Sequence, residues 1–151
     1  MLQLIESATS TLTIVSFAAY KVPLVSAALA RAARRAVAVR LILEDAEASQ
    51  GKVAFDALTG LGPDVVGRCA VYIWPIEKRE KNPSGSHGSL HAKCAIADGR
   101  QLLVSSANLT EHALSVNIEL GVLVSGGPLP ARAESYWRWL IGSGVLSRVI
   151  S

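Results

Sequence analysis

Two segments of this 151-residue chain have the pattern of strands buried on both faces of a sheet. Residues 11–17 are rich in β-branched side chains, and residues 37–43 form an apolar run that only Arg40 interrupts. Such runs are typical of central strands that helices cover on both sides. Between them, Pro23 suits the first position of a helix that continues to about residue 35. The mean hydropathy of +0.35 fits this arrangement.

The rest of the chain continues this alternation. We predict strands over residues 70–74, 91–97, 101–105 and 119–124, and helices over residues 2–7, 52–58, 108–114 and 130–141. The pattern predicts one α/β domain over residues 1–151, with a mixed β-sheet sandwiched by helices. Residues 75–89 are charged, rich in Gly and Ser and without periodicity, so we predict a mobile surface loop there.

Composition excludes several classes of protein. No apolar run approaches the length of about 18 residues that a membrane span needs, and the first residues do not resemble a secretory signal. We therefore expect a cytoplasmic protein with no stable membrane association. Cys69 and Cys94 lie in apolar runs, which indicates buried reduced thiols, and their spacing matches no zinc ligand set. Of Trp137 and Trp139, we expect one ring in the core and one exposed.

Basic residues cluster although the net charge is only +3. One cluster is on the predicted helix face of Arg31, Arg34 and Arg35. The other comprises Lys78, Arg79, Lys81, His87, His91 and Lys93. Basic patches of this kind suit an anionic partner such as nucleic acid. The alternative is a solvated helix face and a solvated loop, and both interpretations stay open at this stage.

The chemistry-bearing residues fall close together in the second half of the chain. Four residues separate His91-x-Lys93 from Asp98, and a short strand then leads to Ser106-x-Asn108. Strand alternation places His91 and Lys93 on one side, where two cationic groups favour an anion. Phosphate fits, because Lys93 can hold it as a point charge and Asn108 can donate amide hydrogen bonds.

Glu119 opens the next apolar strand, where an unpaired carboxylate is costly. One explanation is a carboxylate that orients an imidazole N–H group. Each motif residue also has a plainer interpretation: Asp98 as a turn residue, Ser106 as a cap or turn residue, and Lys93 as a surface lysine. The combined spacing argues against coincidence.

Residues 90–110, LHAKCAIADGRQLLVSSANLT, resemble the signature of the phospholipase D superfamily. The similarity continues through EHALSVNIELGVLV, in the manner of the short bacterial nucleases of that superfamily that carry a single motif. The opening strand and helix fit as well, so most of the chain is covered. More narrowly, SFAAY, SSANLTEHAL and NIELGVLVSGGPLP are similar to the phospholipase-D-like component of the DISARM anti-phage defence system.

The resemblance implies a phospholipase D-like fold with one motif per chain, and chemistry that uses a covalent phosphohistidine without a metal ion or cofactor. His91 is then the nucleophile. Lys93 and Asn108 bind phosphate oxygens, with Ser106 assisting. Glu119 matches the position whose carboxylate holds the histidine ring. Asp98 completes the motif, and we expect it to orient its neighbours within the site.

One histidine cannot both attack as a neutral imidazole and protonate the leaving oxygen. In the superfamily a second motif supplies the acid, whereas this chain has one motif. We therefore expect a two-fold homodimer that brings two copies of His91 to a single interface site. The two imidazoles would titrate as a coupled pair.

The leading functional interpretation is a phosphodiesterase that cleaves nucleic acid, with DNA as the first candidate. We expect it to act in phage defence, where other defence subunits are further partners. One alternative is a phospholipid hydrolase or phosphatidyltransferase. Another is a non-catalytic subunit that binds nucleic acid. Two features depart from the family pattern: Ser105 stands where a glycine is frequent, and the chain begins inside its first helix, whereas members of the DISARM-like subgroup are longer there.

Overall fold

The computed structural model describes residues 1–20, 22–44, 65 and 67–150. Its strands are β1 (Thr11–Ser16), β2 (Ala19–Tyr20), β3 (Ala38–Leu43), β4 (Ala70–Ile73), β5 (Cys94–Ala97), β6 (Gln101–Ser105), β7 (Leu109–Thr110), β8 (Gly121–Ser125) and β9 (Ser147–Ile150). Its helices are α1 (Leu2–Ser7), α2 (Pro23–Arg34), α3 (Glu111–Ser115) and α4 (Leu129–Gly142), with a 3-10 helix at Ile76–Lys78. No helix in these ranges is long and apolar enough to cross a bilayer.

Strand β1 lies at the centre of the sheet, where the strand direction changes. Over the described ranges the main sheet has the order β8-β6-β5-β1-β3-β4-β9, and β2 pairs with β7 separately. β1, β3 and β4 run parallel to one another, whereas β5 is antiparallel to β1, and β6 and β8 continue antiparallel. The predicted mixed sheet is thus confirmed.

Helices cover both faces of this sheet. Leu12 and Ile14 of β1 belong to the buried cluster that includes α1 and α2, whereas Val15 packs in the cluster that includes Trp137 of α4. The two faces of β1 are therefore both buried, and each fully buried aliphatic side chain contributes about 1.5–3 kcal/mol. Trp139 on α4 is 60% exposed, which confirms the prediction of one core and one exposed indole.

Cys69 and Cys94 are both buried and unpaired with each other, as predicted. Burial raises the pKa of each thiol to about 11. Both side chains therefore remain neutral thiols at physiological pH and pack as small apolar groups.

Several element boundaries differ from the prediction. Regular pairing in β5 begins at Cys94 and not at residue 91. Helix α3 begins at Glu111, because Thr110 Oγ1 accepts a hydrogen bond from Ala113 N (3.2 Å) as the N-cap. Asn108 therefore does not cap that helix. Strand β9 was not predicted, and the helix predicted over residues 52–58 lies outside the described residues.

The arginines of α2 serve the packing of α1. Arg31 donates hydrogen bonds to Glu6, and Arg35 forms a second ion pair with it at 3.3 Å. Arg35 also donates to the backbone oxygens of Ile5 (3.2 Å) and Ala8 (3.3 Å). The hydrogen bond from Arg31 holds the pKa of the Glu6 carboxyl below its ordinary value. Arg31 and Arg35 therefore join the end of α2 to α1, whereas Arg34 is exposed, and an anionic partner for this face stays a prediction.

Residues 75–89 have more structure than their composition indicates. Besides the 3-10 helix, Asn82 Oδ1 accepts hydrogen bonds from the backbone N–H groups of Ser84 (3.1 Å) and Ser86 (2.9 Å). Lys78 Nζ reaches away to the backbone oxygen of Gly144 at 2.6 Å. Outside these turns the segment is an irregular and mostly exposed loop, as predicted, and its mobility stays a prediction.

Asp98 lies in the turn between β5 and β6, at the end of β5 that is farther from His91. Its carboxylate accepts hydrogen bonds from the backbone N–H groups of Thr9 (2.9 Å), Ser10 (2.7 Å) and Thr11 (2.8 Å). These bonds fix the start of β1 against the end of β5. The expectation that Asp98 orients other motif residues within the site is corrected: the structure places it at the opposite edge of the sheet.

Hydrogen bonding also sets the charge state of Asp98. Burial raises the pKa of its carboxyl, but the N–H groups of Thr11, Thr9 and Ser10 outweigh burial, and the pKa lies below its ordinary value. A carboxyl with a lower pKa in the folded chain stabilises the fold above its unfolded pKa. That contribution is lost as the pH falls through the folded pKa.

We expect Asp98→Asn to lower the free energy of unfolding by about 2 kcal/mol near neutral pH, because one charged acceptor of several N–H bonds is lost. Asn tolerates the positive φ of 55° at this position, so backbone strain does not confound the comparison. The difference from wild type should shrink at about pH 3, as measured by urea unfolding. Glu80→Gln on the exposed surface is the control, and equal stability of Asp98→Asn and wild type at neutral pH would contradict this role.

Candidate active site

The candidate site lies at one edge of the main sheet. The parallel strands β1, β3 and β4 end there, at Ser16, Leu43 and Ile73. Because β5 is antiparallel to β1, its first residue Cys94 lies opposite Val15 at the same edge. The antiparallel order of β5, β6 and β8 brings three segments to this edge. They are the residues before β5, those after β6 and those before β8, and each segment carries predicted site residues.

His91 is exposed at this edge and lies against Phe17, which follows β1 directly. The two ring centroids are 5.2 Å apart. Lys93 Nζ lies 3.3 Å from His91 Nδ1 and donates a hydrogen bond to the backbone oxygen of His91 at 2.8 Å. It also lies 5.7 Å from the Phe17 ring centroid, a cation–π distance. The Phe17 ring thus contacts both His91 and Lys93, the two residues predicted to act on phosphate.

Ser106 and Glu119 form a second polar pair beside them. Ser106 Oγ donates a short hydrogen bond to Glu119 Oε2 and accepts one from Leu120 N at 3.0 Å. Asn117 Nδ2 donates to the other carboxylate oxygen at 3.2 Å. The carboxylate is thereby held in place by groups of its own chain, and the described contacts of Glu119 are with these residues and not with His91.

Electrostatics couple Lys93 to Glu119. Hydrogen bonds from Ser106 and Asn117 lower the pKa of Glu119, and the charge of Lys93 lowers it further. Desolvation lowers the pKa of the Lys93 ammonium, while the negative charge of Glu119 opposes that shift. Near neutral pH the site therefore presents a carboxylate beside a partly desolvated cation.

Asn108 lies between Ser106 and the turn that carries Phe17. The backbone N–H of Leu109 donates to Ser16 Oγ (3.1 Å) and to Ala18 O (3.0 Å), which fixes its position beside that turn. Among the described residues, Asn108 Oδ1 is buried without a hydrogen-bond partner. This amide oxygen therefore takes no part in the hydrogen-bond network of the described residues.

The structure brings five of the six predicted residues to one edge: His91, Lys93, Ser106, Asn108 and Glu119. Asp98 is the exception. Sequence reasoning missed two neighbours, Phe17 and Asn117. Phe17 stands at the carboxyl end of a predicted buried strand, a position that frequently carries functional side chains, and Asn117 is two residues from Glu119, the spacing that puts side chains of an extended segment on one side.

This arrangement can bind and attack a phosphoryl group. An exposed imidazole can act as a nucleophile, and the adjacent ammonium and amide can hold anionic oxygens as charge develops. Within the described part of the chain, this edge carries one imidazole, His91, with one cation, Lys93, beside it.

Comparisons with known proteins agree with this fold. Residues 1–141 match the family model described as "Cardiolipin synthase, PLD-like domain". No curated protein matches the sequence. Among solved structures, the chain is similar to Nuc, a phospholipase D family member from Salmonella typhimurium, with a TM-score of 0.73 and 18% identity over 99% of this chain and 88% of that one.

Two further structures share the fold. NucT from Helicobacter pylori has a TM-score of 0.76 and 19% identity, covering 99% of this chain and 87% of its own. Phosphatidylserine synthase from Haemophilus influenzae has a TM-score of 0.71 and 15% identity, covering 98% of this chain but 36% of its own. The matched family model spans nearly the whole sequence, and this chain belongs to the phospholipase D-like family.

Proposed function

We propose that this protein is a metal-independent phosphodiesterase that cleaves nucleic acid through a covalent phosphohistidine at His91. The observation that carries the proposal is the exposed imidazole of His91 with the Lys93 ammonium 3.3 Å from it, beside a fixed carboxylate at Glu119. In the first step, His91 Nε2 attacks phosphorus, so that a P–N bond forms and the bond to the leaving oxygen breaks. In the second step, water attacks phosphorus, the P–N bond breaks and free imidazole returns.

Attack through Nε2 requires that Nδ1 carries the ring proton. An ammonium cannot accept a hydrogen bond from Nδ1–H, so Lys93 must turn from Nδ1 to a phosphate oxygen when substrate binds. A carboxylate acceptor then suits Nδ1, and Glu119 is the candidate. Its bonds to Ser106 and Asn117 would hold it ready, whether it serves the imidazole of its own chain or that of a partner.

The leaving oxygen needs a proton in the first step, and the attacking water must lose one in the second. A second imidazole performs both transfers if it begins protonated, and a two-fold homodimer supplies it. An apolar surface beside the site supports this assembly. Ile118, Leu120 and Val122 are 103%, 80% and 60% exposed, and Val104 on the paired strand β6 is half-exposed. β8, which carries Val122, is an edge strand of the main sheet.

Nucleic acid is the proposed substrate because Lys93 offers a cation to a phosphate group at the site, and because the sequence resembles the single-motif nucleases of the superfamily. Phage defence is the proposed setting, and the support for it is the resemblance of SSANLTEHAL and NIELGVLVSGGPLP to the DISARM component. A phospholipid substrate is the second candidate, since the matched family model and one structural neighbour carry the names of phospholipid synthases.

We expect wild-type protein to cleave labelled single- or double-stranded DNA in excess EDTA, and His91→Ala to lose at least about 1,000-fold in rate, because the covalent route is gone. His112→Ala is the matched control, since His112 is exposed on α3 outside the motif, and it should retain wild-type activity. A labelled DNA fragment joined through an acid-labile phosphorus–nitrogen bond should form on wild-type protein and not on His91→Ala.

Other outcomes separate the alternatives. Hydrolysis of phosphatidylglycerol in vesicles without cleavage of DNA would establish the lipid substrate. Tight DNA binding by both wild type and His91→Ala, with no turnover on either substrate, would contradict an enzymatic role and indicate a binding subunit.

We expect the double variant Ile118→Ser/Leu120→Ser to raise the dimer dissociation constant by about 100-fold or more, because apolar surface is lost twice per interface. Sedimentation across a concentration series measures it. Activity per chain should fall with the dimer fraction and recover at high protein concentration.

Leu2→Ser/Leu24→Ser is the control, since both leucines are exposed on α1 and α2. It should leave the dimer and its activity unchanged. A monomeric double variant with wild-type activity per chain would contradict the shared site.

A further inference from the structure

We infer that the buried ion pair of Glu44 and Arg79 is a positioning device for the nucleophile His91. This inference rests on the proposed function and deepens it. Both side chains are almost completely buried, at 1% and 0% exposure, although they are charged. Glu44 directly follows β3, and Arg79 directly follows the 3-10 helix.

Within the described residues, the carboxylate of Glu44 bonds two separate parts of the chain. One oxygen accepts a short hydrogen bond from Arg79. The other accepts the backbone N–H of Leu90 at 2.7 Å. Leu90 is the residue before His91, so the carboxylate fixes the peptide that leads into the nucleophile.

Arg79 holds the same segment from a second side. Its guanidinium donates to the backbone oxygen of Gly88 at 2.9 Å and to that of Trp74 at 3.0 Å. It also lies 4.9 Å from the Trp74 ring centroid. One side chain therefore connects the end of β4 with the approach to His91, while Glu44 connects the end of β3 with the same approach.

Regular pairing does not provide this support. β5 begins only at Cys94, so residues 88–93 precede the β5 ladder. Downstream, Ser105 N donates to Lys93 O at 3.1 Å. Upstream, the bonds of Glu44 and Arg79 take the place of a neighbouring strand. Leu90 adds a buried side chain in the cluster that contains Trp137, so that both its backbone and its side chain are fixed.

Burial of an ion pair is weak evidence of a stabilising role, since apolar replacements are often as stable. Placement next to the nucleophile gives this pair another use. A displacement of a reacting group by about 1 Å can reduce a rate by about 100-fold. The pair thus restricts where the His91 imidazole stands at the edge of the sheet.

The test compares Glu44→Gln with Glu134→Gln. Glu134 forms the other partly buried ion pair of the described residues, with Arg40 at 2.9 Å on the α4 face of the sheet, and it does not contact the segment before His91. We expect Glu44→Gln to lower kcat for DNA cleavage in EDTA by about 10- to 100-fold with KM within about twofold, because orientation and not binding is impaired. Glu134→Gln should keep the wild-type kcat.

A second readout does not depend on activity. In protein with ¹³C-labelled histidine, the His91 ring signals, assigned by their loss in His91→Ala, should shift or split in Glu44→Gln and stay unchanged in Glu134→Gln. If Glu44→Gln does not fold, Arg79→Lys is the second variant, because it keeps the charge but loses the forked contacts. It should change the same ring signals.

Wild-type kcat together with unchanged His91 signals in Glu44→Gln would overturn the inference. Equal losses of kcat in Glu44→Gln and Glu134→Gln, in step with their loss of stability, would also overturn it. If wild-type protein cleaves no substrate, the proposed function fails, and the His91 ring signals still decide whether Glu44 positions the imidazole.

Discussion

The antiparallel pairing of β1 with β5 is the contact on which the rest of the site depends. β1 and β3 run parallel, so their carboxyl ends meet at one edge of the sheet. The reversal at β5 brings the start of that strand, and with it His91 and Lys93, to the same edge. Without this change of direction, Phe17 would not lie against His91, and the segment that carries Ser106 and Asn108 would end at the far side of the sheet.

Some basic side chains form ion pairs within the protein, whereas Lys93 faces the open edge of the sheet. Arg31 and Arg35 bind α1, and Arg79 is buried against Glu44. Lys93 is the cation that the fold directs toward a carboxylate and an imidazole at the open edge. A count of basic residues therefore overstates the charge available to an anionic ligand, and the local field around Lys93 determines what the site can hold.

Much of the fold could be predicted from local patterns. The runs at β1 and β3 have no reasonable alternative to buried strands, and Pro23 marks the start of α2 because its fixed φ suits that position. The site residues were found for a similar reason: four of the five lie within residues 91–108, in one chain segment whose spacing is itself the signal.

The features that could not be predicted depend on contacts between distant residues. Asp98 bonds Thr9–Thr11 across 87 to 89 positions, and Arg79 meets Glu44 across 35. The sequence around Asp98 does not reveal whether it anchors a strand or belongs to the site. The sequence around Arg79 likewise does not reveal whether its side chain is buried or solvated. Strand β9 was missed because its short segment, Ser147–Ile150, has no strong alternation and pairs only at the sheet edge, with β4.

The anchoring of Asp98 gives the spacing of the motif a mechanical meaning. The nucleophile stands before one end of β5, and Asp98 fixes the other end to the start of β1. Side chains alternate along the strand between them, so an odd or even number of residues decides to which face a side chain points. One residue added or removed between Lys93 and Asp98 would turn the imidazole and the ammonium to the opposite face while the anchor stayed in place. The number of residues in H-x-K-x4-D thus sets the length of the strand and the side to which the two side chains point.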